Sequence, residues 1–164
     1  MEEKKNYMDA LKLGNELITR RYLFGKIRVS KAMSVPDYIA MRIIMNTENP
    51  EDIYDGKTYL TDIAEKMQIT LRQTSRMIGR LKERGLVSWE HDGNGSEGTY
   101  VTVTADGREL FLQQEKVLKE FYGHVIERFG ADNLVQLLNL MKQLETHMES
   151  EIEKMEVRFD EDDE

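Results

Sequence analysis

Residues 60–87 read LTDIAEKMQITLRQTSRMIGRLKERGLV, and the organisation of the rest of the chain follows from them. Thr61-Asp62 can cap a short helix carrying Ile63, Ala64 and Met67. Gln68-Ile69 then makes a tight turn. Thr70, followed three residues later by Gln73, is the pattern of a capping box, in which each side chain satisfies the other residue's backbone N–H. The helix it opens places Thr74, Met77, Ile78 and Leu81 on one face and stops at Gly85.

Beyond Gly85 the period changes. Leu86-Val87-Ser88-Trp89 reads as a strand, Gly93-Asn94-Gly95 as a hairpin tip, and Thr99 to Val103 as an alternating return strand. Two short helices across a turn, followed by a two-stranded hairpin, predict a helix-turn-helix with a wing. On the N-terminal side, Pro36 opens a more buried helix over Ile39, Met41, Ile43 and Ile44. Asn49-Pro50 and Asp55-Gly56 mark a loop after it. An amphipathic helix is expected over residues 7–31. On the C-terminal side, Thr104 begins a long helix to about Phe129, which Gly130-Ala131-Asp132 breaks. A last helix carries Leu134, Leu137, Leu138, Met141, Leu144, Met148, Ile152 and Met155 at nearly heptad spacing. The expected class is mainly α with a small β-wing. Its parts are an N-terminal helix (1–34), the winged helix-turn-helix (35–104), C-terminal helices (105–157) and an acidic tail (158–164).

With 31 acidic against 23 basic residues, the net charge is −8, which at first argues against nucleic acid as a partner. Residues 145–164 hold ten acidic and two basic residues, so residues 1–144 sum to zero. The tail reads as a solvated, solubilising end. Within the neutral body, residues 69–87 concentrate Arg72, Arg76, Arg80, Lys82 and Arg84 against Glu83 alone. A phosphate-facing surface needs such a concentration, because counterion release supplies much of the affinity. Arg72, Gln73 and Arg76 fall opposite the inward face; arginine can fork onto guanine and glutamine onto adenine in the major groove. Arg80 extends the stripe. Thr70 and Ser75 are short hydroxyls suited to phosphate near the helix start.

The stretch from Leu60 to Leu110 resembles the multiple-antibiotic-resistance (MarR) type of winged-helix transcriptional regulator. The resemblance rests on Leu60-Thr61-Asp62-Ile63-Ala64, on Thr70 through Arg80, on Arg84-Gly85-Leu86-Val87, and on Thr104-Ala105-Asp106-Gly107. In that family an Arg-Gly-Leu-Val run ends the recognition helix, and Thr-x-x-Gly leads from the wing into the next helix. The wing departs from the pattern. Typical members carry an arginine at the tip, whereas residues 91–98 here contain no arginine or lysine. Asn94 and Ser96 are then the candidate wing contacts, and minor-groove contact is expected to be weaker or more sequence-tolerant.

The stripe of the last helix is long for a chain of this size to bury alone. Either a second copy covers it, or it caps the winged helix. The resemblance implies the former: a homodimer of the first, fifth and sixth helices that sets two recognition helices on a pseudo-palindromic double-stranded DNA site. It also implies a small-molecule effector between the dimer helices and the winged helix, where methionines and tyrosines could line a pocket or simply pack. The resulting function is a DNA-binding transcriptional regulator, by family habit a repressor. The alternative is a winged-helix protein-interaction module with no specific DNA target.

Cysteine is absent, which removes thiolate metal sites and thiol redox sensing. His91, His124 and His147 are far apart and form no ligand-spaced cluster, so no metal is expected. No glycine-rich phosphate loop or activated nucleophile is present, so neither an enzyme nor a cofactor is expected. No run is apolar enough to span a membrane and the N-terminus is charged, so a cytoplasmic location is the expectation.

Overall fold

The computed structural model describes residues 2–47, 57–93 and 98–155. These form six helices, α1 (Glu2–Phe24), α2 (Val35–Thr47), α3 (Leu60–Met67), α4 (Leu71–Glu83), α5 (Ala105–Phe129) and α6 (Ala131–Met155). Three short strands join them, β1 (Thr58–Tyr59), β2 (Val87–His91) and β3 (Thr99–Val103). The class is the expected one, mainly helical with a small antiparallel wing. Its sheet has three strands in the order β1-β3-β2, not two. Thr58 pairs with Val101 and Tyr59 with Tyr100, a strand too short to show a period in sequence.

Two compact units divide the chain, residues 1–118 and 119–164. The first contains the winged helix. Its core gathers Met41 and Ile44 from α2, Ile63 from α3, Ile78 and Leu81 from α4, and Val101 from β3, all fully buried. Apolar side chains of this size each contribute about 1.5–3 kcal/mol when removed from water. Phe111 of α5 joins them, stacked on Tyr38 at 5.4 Å between ring centres. Burial, then the Glu115 carboxylate, raises the Tyr38 phenol above its ordinary pKa, against a smaller opposite pull from Arg42.

Helix ends differ from expectation at both ends of α1, which begins at Glu2 rather than near residue 7, and at the start of α3. The first helix stops at Phe24 rather than near residue 31: the Gly25 N–H still reaches Arg21 O, but those of Lys26 and Ile27 tighten to Leu23 and Phe24. The α3 cap sits at Tyr59, not at Thr61-Asp62. Asp62 occupies the third helical position, and its carboxylate accepts from the Tyr59 N–H at 3.1 Å. α2 begins as Pro36 suggested, with Ser34 Oγ accepting from the Asp37 N–H at 3.2 Å.

α3 ends with Gln68 in the left-handed region (φ 54°, ψ 46°). The Ile69 N–H bonds Ala64 O and the Gln68 N–H bonds Glu65 O, so three residues suffice to turn the chain into α4. α4 ends by the same device at Gly85 (φ 73°), with the Leu86 N–H on Leu81 O and the Gly85 N–H on Lys82 O.

In the second unit, Asn133 Nδ2 donates to Phe129 O at 2.6 Å where α5 gives way to α6. No residue of α6 is buried, and Leu137, Leu138, Met141, Leu144, Met148 and Ile152 are each 39–49% exposed. In the first unit α1 likewise leaves Leu13, Ile18, Tyr22 and Phe24 more than 60% exposed. Among the described residues no helix is long and apolar enough to cross a membrane, and no group of three acidic or histidine side chains could hold a metal ion.

Candidate nucleic-acid interface

The second helix of the helix-turn-helix is held inward by Thr74, Met77, Ile78 and Leu81, all buried, as its period predicts. About 100° per residue then puts Arg72 and Arg76 on the opposite side and turns Arg80 toward the flank. All three are exposed, and among the described residues no carboxylate pairs with any of them. Ser75 is half-buried on the same side as Arg72.

The start of α4 is the capping box expected. Thr70 Oγ1 accepts from the Gln73 N–H at 3.1 Å, and Gln73 Oε1 accepts from the Thr70 N–H at 3.0 Å. Both residues were candidates for DNA contact, and both have an intramolecular role here.

One feature of α4 has no stabilising rationale. The N-terminal end of a helix is its positive pole, where a carboxylate is favourable and a cation is not, by about 0.3–1 kcal/mol. α2, α3, α5 and α6 follow this rule with Asp37, Asp62, Asp106 and Asp132 in their first turns. α4 has no acid there and carries Arg72 instead. A bound phosphate or electronegative base edge reverses the sign of that cost.

The five basic residues of the segment divide in two. Arg84 donates to Ala32 O at 2.8 Å and lies 4.0 Å from Asp37 Oδ2, tying the end of α4 to the segment before α2. Lys82 sits 5.1 Å from the centre of the Trp89 ring. These two serve the fold, which their residue type could not reveal, since their partners lie elsewhere in the chain.

Asn94 and Ser96 lie outside the described residues. At the base of the wing, Tyr100 OH donates to Glu90 Oε2 at 2.8 Å and Tyr59 OH to Asp92 Oδ2 at 2.9 Å. Tyr59 and Tyr100 pack edge to face, and Lys57 stands 4.9 Å from the Tyr100 ring centre. Glu90 and Asp92 are thus held by tyrosine hydroxyls, an arrangement that needs β1, which the sequence pattern does not reveal.

The two phrases that carried the family resemblance meet in space. The Thr104 hydroxyl donates to Gly85 O at 2.6 Å and accepts from the Gly107 N–H at 3.0 Å, while the Thr104 N–H bonds Leu86 O at 3.1 Å. α5 approaches this joint so closely that a Cβ on Gly107 would lie 2.0 Å from Leu86 O. Thr-x-x-Gly and Arg-Gly-Leu-Val are therefore two sides of one contact, which fixes the end of α4 against the start of α5.

No protein-family model and no curated protein matches the chain. Solved structures do. A mutant of the E. coli MarR protein complexed with operator DNA is similar at a TM-score of 0.65 and 16% identity, over 83% of this chain and 95% of that one. A MarR family regulator from Neisseria meningitidis gives 0.63 and 17%, over 87% and 95%. The PcaV transcriptional regulator from Streptomyces coelicolor, in complex with its natural ligand, gives 0.62 and 16%, over 82% and 89%. At these identities what is shared is the architecture, and the chain has the winged-helix fold of MarR-type regulators.

Proposed function

We propose that the chain is a dimeric, sequence-specific DNA-binding transcriptional regulator, acting as a repressor whose grip on a pseudo-palindromic operator is relieved by a small ligand. The observation that carries the reading is the exposed arginine stripe of α4, which no carboxylate among the described residues pairs, with Arg72 at a helix pole where four other helices of the chain carry aspartate. In a helix-turn-helix the N-terminal part of the second helix meets the base edges. Arg72 and Arg76 occupy that part, Arg80 is placed for phosphate, and the hydroxyls of Thr70 and Ser75 supply further donors to the backbone.

Dimerisation is supported by the exposed apolar stripe of α6 and by that of α1. Such surfaces on a protein of this size mark an interface. Ligand relief is supported by one structural neighbour having been solved with its natural ligand. Asn94 and Ser96 remain the proposed wing contacts. A second reading, a protein-interaction module, draws on the wing, where Glu90 and Asp92 are acidic side chains in a position unsuited to phosphate.

A gel-shift titration on DNA flanking the protein's own coding region, with the full chain and with Arg72→Ala/Arg76→Ala, tests the proposal. The expected result is a shift for the native chain that weakens steeply between about 50 and 200 mM salt and is lost in the double variant. Absence of any shift, or a shift indifferent to both salt and the two arginines, favours the protein-interaction reading.

A further inference from the structure

Arg72 and Arg76 sit in the first two turns of α4, four residues and so roughly 6 Å apart along its axis. Successive base pairs are about 3.4 Å apart. Both are exposed and opposite the buried face, and with α4 laid along the groove their separation corresponds to about two base-pair steps.

An arginine fork offers donors only. Among the major-groove edges only guanine presents two acceptors, O6 and N7, whereas adenine, thymine and cytosine each present at most one. Two arginines exposed on one face, with no carboxylate partner among the described residues, therefore select for two guanines.

Gln73 is placed differently. To read adenine its amide oxygen must accept from N6 while its nitrogen donates to N7. That oxygen already accepts from the Thr70 N–H at 3.0 Å, and the side chain is folded back over the helix start. Extending it toward DNA breaks the box and leaves the Thr70 N–H without its partner.

We propose that Arg72 and Arg76 read two guanines within two base pairs of each other in every half-site, and that Gln73 reads no base. The assignment rests on the DNA-binding reading above. It goes beyond that reading by naming the bases and by removing a residue whose type suggests an adenine contact.

The test is selection of preferred sites from a randomised duplex pool by the full-length protein, at about 50 mM salt. Competition affinities follow for the winning duplex with each guanine replaced in turn by 7-deazaguanine, which lacks N7. The native protein loses roughly tenfold to a hundredfold at either guanine. Arg72→Ala becomes indifferent to one replacement and stays sensitive to the other, and Arg76→Ala shows the converse. Gln73→Glu, which preserves a capping box, keeps the native order of base preference at every position even where overall affinity falls.

Selected sites without two guanines at that spacing overturn the proposal. So does native sensitivity retained in both arginine variants, or an A·T preference that Gln73→Glu relaxes. If the folded protein retains no duplex from the pool at all, the DNA-binding reading itself fails. Selection of the wrong bases removes only the guanine assignment.

Discussion

Gly107→Ala is expected to destabilise the winged helix, although alanine is the better helix former. A Cβ at residue 107 would stand 2.0 Å from Leu86 O, 2.8 Å from Leu86 C and 3.0 Å from Val103 Cγ1. The obstacle is backbone, so α5 and the start of β2 must part by about 1 Å or more to restore ordinary contact. Overpacking of this kind costs about 1–3 kcal/mol. Parting also strains the Thr104 N–H bond to Leu86 O and the Thr104 hydroxyl bond to Gly85 O, each worth about 1 kcal/mol net. Against this stands a gain of about 1 kcal/mol for replacing a helical glycine. The balance is a loss of about 2–4 kcal/mol. Gly79 is the control: it lies inside α4 with nothing within 4 Å of an added Cβ, so Gly79→Ala gains about 1 kcal/mol. Urea unfolding at fixed protein concentration, followed by circular dichroism and by the fluorescence of the single tryptophan, Trp89, measures both. A Gly107→Ala protein as stable as the native one, or stabilised like Gly79→Ala, would refute the close joint between the two motifs.

Gln68 holds a left-handed conformation that costs an ordinary residue about 1–2 kcal/mol, so Gln68→Gly raises stability by about 0.5–1 kcal/mol after the entropy of the unfolded glycine is counted; an unchanged or lower thermal midpoint contradicts this. Arg80→Ala weakens DNA binding evenly across sequences and makes the log–log salt slope shallower by about 2 for a dimer. Arg84→Ala costs about 1 kcal/mol of stability through the lost bond to Ala32 O and leaves that slope unchanged, so one salt titration of both variants separates the DNA-facing from the fold-serving arginine. The Tyr100 phenol is held above its ordinary pKa of 10.0 by donating to Glu90, by desolvation and by the surrounding negative charge. Folding thus retains its proton, so the stabilisation is complete below pH 10 and is lost as the pH rises through the folded value. Glu90→Gln moves the Tyr100 phenolate absorbance, isolated by difference against Tyr100→Phe, to lower pH.

Periodicity makes the inward face of α4 readable in the sequence, because four apolar or small residues at helical spacing leave little choice of orientation. The capping box was equally readable, since Thr70 and Gln73 act on each other across three residues. What could not be read is what depends on contacts between distant segments. β1 is two residues long, and only its pairing with Tyr100 and Val101 reveals it. The α3 cap moved to Tyr59 because Asp62 looks equally plausible as a cap and as the third residue of a box; the choice is made by the strand that precedes it. Composition counts Lys82 and Arg84 with the exposed arginines of α4, yet Trp89 and the Ala32 carbonyl claim them. Charge counted along the sequence thus groups five basic residues, and only contacts from distant segments set two of them apart.

Gln73 and Arg72 belong together for an energetic reason. An arginine in the first turn of α4 opposes the helix dipole by about 0.3–1 kcal/mol, and no aspartate is present there to offset it. An N-terminal cap contributes about 1 kcal/mol, enough to keep the first turn formed despite that opposition. Thr70 and Gln73 supply the cap, one side chain to each backbone N–H. If Gln73 left the box to touch a base, the turn that carries Arg72 would lose its support at the moment its position mattered most. The glutamine is thus more useful to recognition as a fixed part of the helix start than as a reader, and the charge that a net value of −8 concealed is the one it holds in place.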